Sequence, residues 1–135
     1  KQKRISFHLP NLANERNWYK VADLGDKCKF FMFHGDQVRG HGGFPWYGFG
    51  KKILGWKALA SAGMMEDFDY AVAGHYHTPN TQYINDVRLW VNGSTESYNT
   101  YAKDHLASMG RPCQYLLFCK EGSGVTAEYL VKLEK

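Results

Sequence analysis

Several features are scarce in this sequence, and each scarcity excludes something. Proline occurs only 4 times, scattered, and no tract is repetitive, which excludes collagen-like, mucin-like and low-complexity chains. Cysteine occurs 3 times, at positions 28, 113 and 119, with no C-x-x-C spacing and no preceding signal peptide. That odd set fits reduced core thiols in a cytosolic protein, so a cytoplasmic location is expected. Long hydrophobic runs are missing: the apolar stretches at 30–33, 70–73 and 115–119 fall far short of the ~20 residues that cross a bilayer, so no membrane partner is expected. A large excess of one charge is also missing. Seventeen Lys and Arg against thirteen Asp and Glu leave +4, and the basic run Lys1-Gln2-Lys3-Arg4 sits at the terminus. Such a balance permits phosphate or nucleic-acid ligands without requiring them.

What is present is a chain of 135 residues, 44% hydrophobic and 16% aromatic, the size of one modest domain or part of a larger one. It opens at Lys1 rather than methionine, and the expectation is that this is not a native start. Hydrophobic patterning predicts short strands at 5–9 and 18–24, then a buried strand over 28–33 that stops abruptly at His34-Gly35-Asp36. The segment from Arg39 to Gly50, with five glycines and Phe44, Trp46, Tyr47 and Phe49, is expected to form a shaped surface loop. Ile53, Leu54, Ala58, Leu59, Ala62 and Met65 recur at helical spacing and predict a helix from Lys51 to about Met65, stopped near Gly63. A second buried strand over 68–73 stops at Gly74-His75-Tyr76-His77. Hairpins are expected about Asn85-Asp86 and about 121–124.

Strand, long connection with helix, and strand make a βαβ unit, so the two buried strands are expected to be parallel neighbours. His34 and His75 then reach the same carboxyl edge of one sheet, where α/β folds place ligands. A single histidine is commonly a satisfied core residue, as His8 and His105 are taken to be. Three histidines converging at one edge repel one another when protonated, and their natural use is to share metal ions.

The order of these pieces resembles the carboxyl-terminal half of the calcineurin-like metallophosphoesterases. The match runs over about residues 27–120. It is carried by Phe31-Met32-Phe33-His34-Gly35-Asp36, by Gly74-His75-Tyr76-His77 with Thr78-Pro79, and by Val91-Asn92-Gly93-Ser94. The resemblance implies a hydrolase that cleaves phosphoesters, as a phosphatase, phosphodiesterase or nuclease, so nucleic acid stands among its substrate classes. His34 and His75 would bind one divalent ion and His77 a second, the metals being Mn, Zn, Fe, Ni or Mg. The two ions would activate a water for in-line attack on phosphorus. Arg39 and His41 are the phosphate-binding candidates, and Asp36 is the candidate to orient His34 from behind.

The resemblance is to half of a site. The family's Asp-x-His, Gly-Asp-x-x-Asp and Gly-Asn-His-Asp/Glu blocks, which hold the bridging carboxylate, the Asn ligand and the general acid, do not occur in this chain. The expectation is a single partial domain over 1–135, α/β in class, forming the carboxyl-terminal part of a four-layer α/β/β/α sandwich with mixed sheets. Both later hairpins would lie in the second sheet. The missing amino-terminal half is the expected partner, in the same or another chain. Two other readings use the same residues. His34-x-Asp36 with a distant histidine is a 2-His-1-carboxylate pattern, with Arg88 for an acidic cosubstrate, and this reading predicts a jelly-roll of strands. The other is a non-catalytic metal- or nucleic-acid-binding module with incidental histidines; in the main reading Arg88, Lys51 and Lys52 are taken to be solvated.

Overall fold

A tight reversal at Gly25-Asp26 starts the architecture. The Asp23 carboxylate accepts the Gly25 amide at 3.0 Å, and the Gly25 carbonyl accepts the Cys28 amide at 3.0 Å. Strands β1 (Tyr19–Asp23) and β2 (Lys29–Phe33) run antiparallel on either side of it. A computed structural model describes residues 18–40, 43–96, 100 and 111–133. The strand expected at 5–9, His8, His41 and His105 lie outside the described residues.

From β2 the chain crosses through α1 (Trp46–Ser61) to β3 (Tyr70–Ala73), which pairs parallel with β2 in the register Phe33↔Ala73. Next come β4 (Asn80–Ile84) and β5 (Val87–Val91), a hairpin whose second strand lies parallel to β3. The sheet order is β1-β2-β3-β5-β4. β6 (Cys113–Lys120) and β7 (Gly124–Lys132) form a separate two-stranded sheet.

Alternation along the strands builds three layers. Phe31, Phe33, Ala71, Ala73, Leu89 and Val91 face α1, where Phe49, Ile53, Trp56 and Ala60 are buried. On the opposite face Phe30, Cys28 and Trp90 pack beneath Tyr115, Leu117, Cys119 and Val125 of the β6–β7 sheet. That sheet is anchored by polar contacts as well. Glu128 accepts from the Arg88 guanidinium at 2.6 Å and from the Trp90 indole at 2.7 Å, while the Tyr70 hydroxyl accepts the Val125 amide at 2.8 Å.

Several expectations are corrected here. The helix starts five residues earlier than the spacing predicts, inside the segment expected to be a loop, and ends at Ser61. The buried stripe is Phe49, Ile53, Trp56 and Ala60, and its burial outweighs the poor helix propensity of Gly48, Gly50 and Gly55. Leu54 and Leu59, counted in the expected stripe, are exposed. The β4–β5 hairpin belongs to the first sheet because Val87, Leu89, Trp90 and Val91 are all buried, the mark of a strand covered on both faces. Met32 is 46% exposed, so double-sided burial of β2 ends before the histidine edge. Arg88 is paired with Glu128 rather than solvated. Cys28 and Cys119 form a disulfide across 91 positions, leaving Cys113 buried outside it. The step from cysteine count to a reducing compartment therefore loses its basis. No helix among the described residues is long and apolar enough to cross a membrane. The helix and the parallel β2-β3-β5 core also remove the jelly-roll that the iron-oxygenase reading requires.

Candidate metal centre

Backbone pairing continues past the ends of β2 and β3. The His34 carbonyl accepts the Gly74 amide at 2.9 Å, and the Ala73 carbonyl accepts the Asn92 amide at 2.7 Å. The first of these bonds brings the residues after each strand side by side, so the His34 Nε2 and His75 Nδ1 atoms stand 3.1 Å apart, sharing a ring–ring hydrogen bond, with ring centroids 4.9 Å apart. Gly35 makes the approach possible. Its φ is 121°, and a Cβ there would meet the Gly74 carbonyl oxygen and His75 Cβ at 3.0 Å. His75 and His77 hold φ of 65° and 52°, a left-handed conformation that non-glycine residues adopt at a cost and that clusters at functional sites.

Tyr76, which sequence reasoning passed over, braces this turn. Its hydroxyl donates to the Val38 carbonyl, and its ring stands edge-on to His75, Phe44 and Phe49 at 4.9, 5.4 and 5.6 Å. Burial, and then the nearby Asp36 charge, raise its pKa above the usual 10.0. The only sequence signal for it was an aromatic between two polar positions. Asn92, quoted only as part of the Val91-Ser94 resemblance, proves structural: its side-chain oxygen accepts the Tyr115 amide at 2.9 Å, and its amide donates to Gln114.

The donor set fits a metal in part. Two nitrogens bound to one ion at about 2.0–2.1 Å stand roughly 2.8–3.4 Å apart at bond angles of about 90–109°. The His34–His75 separation falls in that span. Both rings, and that of His77, are exposed. No group of three or more His, Cys, Asp or Glu among the described residues is arranged to hold a metal ion, so neither His77 nor Asp36 joins the pair as a third ligand. The Asp36 carboxylate instead accepts from the Gln37 amide, whose oxygen takes the Gly35 amide at 3.2 Å. Arg39 is exposed and opens onto a groove of about 1190 Å³ between residues 37–40 with 44–45 and one side of α1. Gly48 permits that wall: a Cβ there would press on Val38 Cγ1 at 2.9 Å.

The described residues thus form a helix-backed mixed sheet with paired histidines just beyond two adjacent parallel strands. No family model and no curated protein matches the chain. Among solved structures it is similar to Vps29 from Entamoeba histolytica. In the form complexed with Zn2+ the identity is 17% and the TM-score 0.54, covering 86% of this chain and 61% of that one. A single mutant gives 17% and 0.55, with 92% and 67% covered, and a double mutant 18% and 0.55, with 96% and 67% covered. The chain thus spans between three-fifths and two-thirds of the Vps29 chains, and what it shares with them is the fold.

Proposed function

We propose that this chain supplies the carboxyl-terminal part of a two-metal phosphoester hydrolase, completed by polypeptide carrying the amino-terminal blocks. The observation that carries this reading is the 3.1 Å approach of the His34 and His75 nitrogens at the carboxyl ends of β2 and β3. Zn2+ in the Vps29 structure of the same fold supports it. His34 and His75 would share one divalent ion, and His77 would serve its neighbour. When bound, such ions supply Lewis-acid polarisation of the phosphoryl oxygens and an activated water. The metal is Mn, Zn, Fe, Ni or Mg, all of which accept imidazole with carboxylate. The chain's own residues position. The Gly74–His34 backbone bond fixes the ring spacing, Tyr76 braces the turn, and Arg39 meets phosphate. Four layers would result once the missing part covers the open face of the β6–β7 sheet.

Imidazole ligands bring no negative charge to offset two dications, and the family's block that holds the general acid does not occur in the sequence. The 135-residue chain alone should therefore hydrolyse bis-p-nitrophenyl phosphate and p-nitrophenyl phosphate with Mn2+ slowly or not at all. Joined to a polypeptide with the three missing blocks, it should gain turnover that His34→Ala and His75→Ala remove. Full turnover by the chain alone would contradict the half-site reading, and none in the joined protein would contradict the hydrolase reading.

A further inference from the structure

The groove beside α1 is built from different residues than the histidine pair. Arg39, Lys51 and Lys52 line it, no acidic side chain does, and none of the three makes an ion pair among the described residues. Trp46 and Tyr47 open onto it from the first turn of the helix, 54% and 83% exposed. Gly55 leaves its floor bare, since a Cβ there would meet nothing within 4 Å. Exposed rings interleaved with uncompensated cations match an occupant that alternates negative charges with flat apolar faces. An acidic peptide supplies the charges but not the planar rings, whereas an unpaired nucleic-acid strand supplies both.

We propose that this groove binds single-stranded nucleic acid, its phosphates along Arg39, Lys51 and Lys52 and its bases against Trp46 and Tyr47. Gln37 lines the groove and also holds the Gly35 amide beside His34, so a bound strand leads toward the histidine edge. In naming a nucleic-acid substrate, the proposal rests on the hydrolase reading above. Binding itself needs no metal, which separates the two.

The test is fluorescence anisotropy of labelled dT12 and rU12 with the whole chain in EDTA and 50 mM salt. Binding to either supports the proposal, and the preference tells whether the sugar matters. Log K should fall with log salt at a slope near −2, as about 0.7 per contacted phosphate implies for three cations. Tyr47→Ala should weaken binding about 5- to 100-fold, the range for loss of one stacked base. Lys51→Ala with Lys52→Ala should make the slope shallower by about 1.4. Lys120→Ala with Lys132→Ala, on the β6–β7 sheet, should change neither, and circular dichroism checks that each variant is folded. Absence of binding, equal affinity for duplex, or affinity indifferent to Tyr47, Lys51 and Lys52 would overturn the proposal. Any of these leaves the metal reading standing, because His34 and His75 are silent in EDTA.

Discussion

Gly35 is the residue on which the geometry of the histidine edge depends most. Its φ of 121° and the 3.0 Å spacing its missing Cβ would have to the Gly74 oxygen and His75 leave no room for a side chain. Gly35→Ala should cost roughly 1–3 kcal/mol, by the usual range for strained backbone, and push His75 away from His34. Urea denaturation measures the first effect, and histidine resonances in NMR spectra the second. A different residue pair exposes its effect to pH. Lys57 donates to the Asp67 carboxylate at 2.6 Å and to the Phe68 carbonyl at 2.6 Å, closing the turn between α1 and β3. That hydrogen bond, opposed by partial burial, leaves the Asp67 pKa below its usual 3.8. A carboxylate with a lowered folded pKa stabilises the fold fully above its unfolded value and loses that contribution as pH falls through the lowered one. Asp67 is mostly exposed, so the effect is a few tenths of a kcal/mol. Asp67→Asn should therefore be slightly less stable than the parent at neutral pH, the gap closing below pH 4. A gap constant down to pH 2 would mean that the ion pair is not its source.

At the scale of elements, most of the architecture was legible because its signals are local. Abrupt ends of the apolar runs at His34 and Gly74 mark the carboxyl ends of β2 and β3, and the long connection between them marks the parallel pairing. The start of α1 was not legible, because three glycines argue against a helix that the burial of Phe49, Ile53 and Trp56 imposes from outside. The place of β5 was hidden as well: a hairpin turn at Asn85-Asp86 says that two strands pair, not which other strand they join. The disulfide was the least accessible, since 91 positions separate Cys28 from Cys119 and only docking of the β6–β7 sheet brings them together. That bond clamps the hairpin to β2. Thiol titration of the unreduced, denatured chain should find one reactive cysteine, Cys113, and three after reduction. Reduction should lower stability by about 2–5 kcal/mol, most of it from the freed loop. Three thiols before reduction would restore the expectation of reduced cysteines.

For the whole molecule, exposed apolar side chains gather at two places. Met32 near the histidine edge, and Leu116, Phe118 and Tyr129 on the outer face of the second sheet, are all about half exposed. Such apolar surface is what further strands and helices of a sandwich would cover. The site shows the same division. The residues that set the imidazole spacing are local and were readable in sequence, whereas the groups that would surround two cations with negative charge are not among the described residues. The central claim is that His34 and His75 act as one metal-binding unit, and NMR of the histidine rings during a Zn2+ titration tests it most directly. At pH 7.5 the His34 and His75 resonances should respond together at one Zn2+ concentration, and His34→Ala should abolish the response of His75. Resonances of His34 and His75 that stay unmoved at neutral pH, or that move independently of each other, would contradict it.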